Sequence, residues 1–162
     1  MKFLRTIRFD GSDERIFKIA AQPDEWAVPG GFAFAHMGEE ELTGKTRQAF
    51  ANGFLGLASF GRSTFATVAQ ASRDDIDELE HLLAEHLSND YGAADAATAL
   101  PAAREEIAFA ADLCKDAPIN TVFTLRRYID GGGEIREEFR TITAPGNEPM
   151  HARIWTVVDD DS

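Results

Sequence analysis

The order of elements along the sequence predicts an α+β fold: a mostly antiparallel sheet of about 6–7 strands, with two long helices and one short, broken helix packed on one face. Three observations carry that prediction. Both ends of the chain hold short runs of Ile, Phe, Val and Thr broken by turn formers, and residues 72–117 repeat their apolar side chains at helical spacing. Nowhere does strand alternate with helix as a parallel, doubly wound sheet requires. The 162 residues, 44% of them hydrophobic, suit one globular domain over 1–162, with Asp159-Asp160-Asp161-Ser162 as a frayed acidic tail. A chain of this length buries about 70% of the surface its unfolded form exposes, enough for a core without disulfides or metal.

Residues 3–9 (FLRTIRF) and 15–21 (RIFKIAA) flank the turn formers Asp10-Gly11-Ser12-Asp13-Glu14 and read as a hairpin. Pairing Phe9 with Arg15 gathers Phe3, Ile7, Phe9, Phe17 and Ile19 on one face, and Arg5 falls among them. After a loop carrying Trp26, Phe32-Ala33-Phe34-Ala35-His36 alternates as a third strand would. The run 45–57 is helix-like but interrupted by glycine, so a short, broken helix is expected there. Residues 62–71 (RSTFATVAQA) have strand composition and lead into Ser72, which with Asp75 forms a capping box. In the helix that follows, Ile76, Leu79, Leu82, Leu83, Leu87 and Tyr91 make one stripe, and Asp77, Glu78, His81 and Glu85 lie opposite. His86 falls on the apolar side, as a hydrogen-bonded, partly buried histidine. Pro101 suits the first turn of a second helix, whose buried stripe is Ala103, Ile107, Ala110 and Cys114.

The register is clearest in the last segment. Pairing Asp130 with Glu134 around Gly131-Gly132-Gly133 sets Ile129 opposite Ile135, Leu125 opposite Phe139 and Val122 opposite Ile142. The same register sets Arg127 against Glu137 and Arg126 against Glu138, each pair contributing from a few tenths to about 1 kcal/mol. A slip of one residue would lose the apolar agreement. A loop over 144–149 then leads to a final strand, Ala152 to Val158.

Sixteen Lys and Arg against 28 Asp and Glu give a net charge of −12, a field that repels phosphate backbones and anionic lipid. Nucleic acid and membranes are therefore not expected partners. The charge is uneven: net 0 over 1–71, −9 over 72–117 and −3 over 118–162. The single Cys114 fits a reducing compartment, and with no apolar run near 20 residues and no secretion signal a cytoplasmic location is expected.

The motifs are weak. Gly38-Glu39-Glu40-Glu41-Leu42-Thr43-Gly44-Lys45-Thr46 imitates a phosphate-binding loop, but five residues separate its glycines where four are needed, and three glutamates would repel phosphate. His36 with Glu39–Glu41, or Glu78, His81 and Glu85 on one helical face, could offer metal ligands. That helical face is also where solvated charge belongs, and no second Glu-x-x-His pair completes a two-metal centre, so no metal and no cofactor are expected. Cys114 lies between Asp112 and Asp116, which disfavour its thiolate. Ser63 lacks the nucleophile-elbow signature, and adjacent Glu105 and Glu106 point to different helical faces. No catalytic residue is assigned.

Arg5 and Arg127 stand out because each falls on the apolar side of an expected hairpin. An inward arginine needs a carboxylate, a carbonyl or an anionic ligand, so both are candidate binding residues, although Glu137 could satisfy Arg127 and a local bulge or an edge position could serve either. The stretches 54–65 (FLGLASFGRSTF) and 100–111 (LPAAREEIAFAA) resemble a family of small uncharacterised bacterial proteins, and the 25 Ala with 12 Arg against 4 Lys agree with a GC-rich bacterial genome. That resemblance implies no activity. The functional expectation is a non-enzymatic cytoplasmic accessory or interaction domain that meets a protein partner or a second copy of itself, with Glu78 and Glu85 on the partner surface. The alternative is a small-molecule anion-binding protein or enzyme, with a pocket between sheet and helices.

Overall fold

In the computed structural model, which describes residues 1–35, 37–90, 95–143 and 156–159, the strands are β1 (Lys2–Ile7), β2 (Trp26–Val28), β3 (Phe54–Gly56), β4 (Arg62–Ser63), β5 (Phe65–Gln70), β6 (Val122–Ile129), β7 (Ile135–Thr143) and β8 (Thr156–Asp159). They form one sheet in the order β4-β3-β2-β1-β5-β6-β7-β8, and every pairing between these strands is antiparallel. The helices are α1 (Ser12–Ile16), α2 (Gly44–Asn52), α3 (Arg73–Asp90) and α4 (Ala96–Cys114). The fold is α+β, as expected, and the strand number reaches eight because β2, β3 and β4 are each only two or three residues long.

The sheet curls strongly. Phe54 on β3 and Phe139 on β7 have ring centroids 6.5 Å apart although four strands separate them in the sheet order. Leu4, Ala27, Phe54, Ala66, Val68, Phe123 and Leu125 fill the core together with Ile76, Leu79 and Leu83 of α3. From α4 come Ala99, Ala103, Ile107, Ala110 and Cys114, and the three alanines let the helix lie close on β1 and β2. No helix among the described residues is long and apolar enough to cross a membrane.

The N-terminal hairpin does not form. Residues 12–16 are helical, residues 15–21 form no strand, and β1 pairs instead with β2 and β5. The cause is tertiary: the buried Asp13 carboxylate accepts hydrogen bonds from the Thr64 hydroxyl (2.7 Å) and the Thr64 N–H (3.4 Å), pinning α1 to the β4–β5 junction. Ile19 and Phe9, expected inside, are 58% and 52% exposed. Beyond α1, Ala20 makes a parallel bridge with Arg62. Gly61 permits that approach, since a Cβ there would lie 2.5 Å from the Ala20 backbone.

The expected third strand is also replaced, because Gly31–Phe34 form a 3-10 turn, and His36 lies outside the described residues. Gly30 before it takes φ +77°, a left-handed conformation that aims the chain into a turn. The broken helix resolves into α2 and the separate strand β3, with the change at Gly53. The 62–71 strand divides at Thr64: β4 pairs with β3, and β5 with β1.

The helical middle follows its local signals more closely. The Asp75 N–H donates to the Ser72 hydroxyl (3.0 Å) and the Ser72 N–H to the Asp75 carboxylate (2.9 Å), which is the expected capping box. The start of α4 is displaced: Asp95 caps it through the Thr98 N–H at 2.7 Å, leaving Pro101 as the sixth helical residue rather than in the first turn. Pro101 and Ala97 are both exposed, so the carbonyl that loses its helical partner can meet water. The β6–β7 register holds at every expected pair. Asp159, expected in the tail, closes β8 opposite Arg140, whereas Tyr91 and the expected strand residues 152–155 lie outside the described residues.

Candidate functional site

Two arginines meet inside the curl. Arg127, on β6, is 2% exposed, and Arg62, on β4 at the other end of the sheet, is 7% exposed. The Phe34 ring lies against both, its centroid 4.7 Å from the Arg62 guanidinium carbon and 5.5 Å from that of Arg127. Each guanidinium donates to main-chain carbonyls: Arg62 to Gly53 (3.1 Å) and Gly30 (3.3 Å), Arg127 to Phe50 (2.7 Å) and Pro29 (2.8 Å). Arg127 also places Nε and Nη2 on Glu137 Oε2, at 3.0 and 2.7 Å. The two side chains thus stitch the Pro29–Gly31 turn and the end of α2 to the sheet.

Glu106 closes the cluster from α4, accepting the Gly30 N–H at 3.3 Å. Burial pushes its carboxyl pKa up, and repulsion from Glu137 adds to this, while the Gly30 N–H, Arg127 and Arg62 pull the other way. Burial draws the Arg127 pKa below the usual guanidinium range, against the pull of Glu137 and Glu106. The turn has no room for side chains: a Cβ on Gly31 would lie 3.0 Å from Glu137 Oε2 and 3.1 Å from Arg127 Nε. Chemically this is a clamp satisfied from within, Arg62 committed to main-chain carbonyls and Arg127 to carbonyls and the Glu137 carboxylate.

Arg5 is placed differently. It is half-buried on β1, between its ladder partners Trp26 and Thr67, with its guanidinium carbon 4.2 Å from the Trp26 ring centroid. It does not join Arg127. Glu78 and Glu85 lie on the exposed side of α3, where with Asp77, His81 and Leu82 they line a surface depression of about 370 Å³. His81 Nδ1 is hydrogen-bonded to the Asp77 carbonyl at 2.8 Å. Among the described residues, no three His, Cys, Asp or Glu side chains are grouped to hold a metal ion. Cys114 is fully buried and in no disulfide among the described residues, and half-buried His86 stacks on Phe60 with centroids 3.9 Å apart.

Sequence reasoning missed Arg62, Glu106 and Glu25. Glu25 is 8% exposed and takes the N–H groups of Ala58 and Ser59 and the Ser59 hydroxyl at 2.7–3.1 Å, so it holds the β3–β4 turn. For Arg62 a signal existed, a charge beside the strand-like STFATV run. For Glu106 and Glu25 no local pattern announces burial.

Together these observations define an antiparallel α+β domain whose buried charges serve its own loops and whose acidic helix faces solvent. Within that class the chain belongs to a family of unknown function, DUF6505, whose model matches residues 1–159. No curated protein and no solved structure matches it.

Proposed function

We propose that the protein is a non-enzymatic, cytoplasmic interaction domain that meets a basic protein partner through the outer face of α3. The observation that carries this reading is the setting of Leu82, half-buried in the surface depression and ringed by the exposed carboxylates of Asp77, Glu78 and Glu85. Among the described residues none of those three carboxylates makes an ion pair, whereas Glu80 on the same helix pairs with Arg104 of α4 at 3.6 Å. An apolar spot inside a carboxylate ring fits a lysine or arginine, whose aliphatic stem covers the leucine while its charged head reaches the acids. The commitment of Arg62 and Arg127 to internal acceptors supports the same reading, because it leaves those cations as structural ties.

The test is charge reversal. Proteins cross-linked to the wild-type chain are compared with those cross-linked to a Glu78→Lys/Glu85→Lys chain at about 20 mM and about 500 mM salt, where the screening length falls from about 20 Å to about 4 Å. The expected outcome is a basic partner captured by wild type at low salt, and lost both at high salt and on reversal. Capture that is indifferent to salt and to both substitutions sinks the proposal.

A further inference from the structure

We propose that Arg5, set over the Trp26 indole, forms a binding site for an organic carboxylate. Its surroundings separate it from the other inward arginines. The Arg62 and Arg127 guanidiniums donate to carbonyls or carboxylates of the chain, but no described residue accepts a hydrogen bond from Arg5, and its Nε is shut off from water without a partner. The same closure keeps a ligand oxygen off Nε, so the contact falls to Nη1 and Nη2, neither of which is shut off without a partner.

The neighbours say which ligand fits. Trp26 covers one side of the guanidinium and is itself braced by fully buried Phe3, whose ring stands edge-on at 6.1 Å. With the indole bounding one side, the planar donor fork of the guanidinium favours a planar acceptor with two oxygens. On the other side of the ladder, the Thr67 hydroxyl is turned away, donating to the Thr121 carbonyl at 3.0 Å. The acid that senses Arg5 is Asp75 at the start of α3, and its carboxylate is already engaged by Ser72. That fixed negative charge opposes a doubly charged phosphate more than a singly charged carboxylate. The indole beside the fork adds apolar surface for the body of an organic acid. The site draws on β1 and β2 and does not depend on the outer face of α3.

The experiment is isothermal titration of the whole chain with benzoate, acetate and inorganic phosphate, repeated on Arg5→Lys and Arg5→Gln. Lysine keeps the charge but lacks the fork. The expected result is saturable benzoate binding to wild type, with acetate and phosphate weaker, and at least a tenfold loss in both variants, equivalent to about 1.4 kcal/mol. Two results overturn the proposal without recourse to any variant: no saturation with benzoate below about 10 mM, or tighter binding of phosphate than of benzoate. Benzoate binding to Arg5→Lys as tight as to wild type overturns it as well.

Discussion

Arg127 and Glu137 face each other across the β6–β7 ladder, and two guanidinium nitrogens converge on the single oxygen Glu137 Oε2, at 3.0 and 2.7 Å. The arginine side chain is fully buried, while that of the glutamate keeps 24% exposure. Removing one partner of a buried pair leaves an uncompensated charge, at a cost of about 3–5 kcal/mol. Glu137→Ala is therefore expected to lower stability by about that much in urea unfolding. Arg127→Leu should also destabilise, since it strands the Phe50 and Pro29 carbonyls. The double variant Arg127→Leu/Glu137→Leu should cost less than the two separate leucine substitutions added together; strict additivity would show that the pair is not energetically coupled.

Glu106 predicts a pH dependence of definite sign. Its carboxyl pKa in the fold is raised, first by burial and then by Glu137. A raised folded pKa means that the protonated form is the one the fold favours, so the stability it contributes is complete below the unfolded value of about 4.3–4.5 and is lost as pH rises through the folded pKa. Glu106→Gln mimics the protonated form. Its stability relative to wild type should therefore increase between pH 4 and pH 7.5, measured as the difference in urea midpoints at each pH, which cancels groups common to both chains. A difference that falls with rising pH would mean that the ionised carboxylate is the favoured form.

The capping box gives a third prediction. Ser72 and Asp75 exchange side-chain-to-backbone bonds at 3.0 and 2.9 Å, and Ser72→Ala should cost about 0.5–2 kcal/mol in unfolding experiments. The bonds from Ser72 hold the Asp75 pKa below the usual carboxylate range, with a smaller contribution from Arg5. A depressed folded pKa contributes stability above the unfolded value, lost as pH falls through the folded one. Acidification below pH 4 should therefore shrink the difference between wild type and Asp75→Asn. An unchanged difference would remove Asp75 from the acid response.

What the sequence disclosed and what it concealed divide along a physical line. The β6–β7 hairpin was legible because its glycine turn, its apolar pairs and its charge pairs all agree on one register, and contacts near in sequence decide it. The Ser72 cap was legible for the same reason. Residues 15–21 misled because their strand-like composition competes with the Asp13 to Thr64 bond, formed with a segment about fifty residues away. Arg127 and its partner could be read from the ladder. Phe34 and Glu106 could not, and Arg62 showed only as a charge beside a strand-like run, because all three join Arg127 only once the sheet has curled enough to bring β4 near β6 and α4 has settled on the Gly30 turn. A cluster assembled by curvature leaves no periodic trace in the chain.

Gly30 tests whether that assembly is tight. Its φ of +77° is a left-handed conformation that costs a residue with a side chain about 1–2 kcal/mol. Contact adds to this, since a Cβ at Gly30 would stand 2.6 Å from Leu55 Cβ and 2.9 Å from Arg62 Nη1. The arginine tip could move, but only by giving up its bonds to the Gly30 and Gly53 carbonyls, and Leu55, 1% exposed on β3, has no free space to retreat into. Gly30→Ala should therefore destabilise by more than the conformational cost alone, about 3 kcal/mol or above in urea unfolding. Pairing it with Leu55→Ala removes most of the Leu55 side chain, though not its Cβ, and the double variant should cost less than the two single substitutions added together. If Gly30→Ala costs under about 1 kcal/mol, the turn is not held against β3 and β4 as closely as these contacts require.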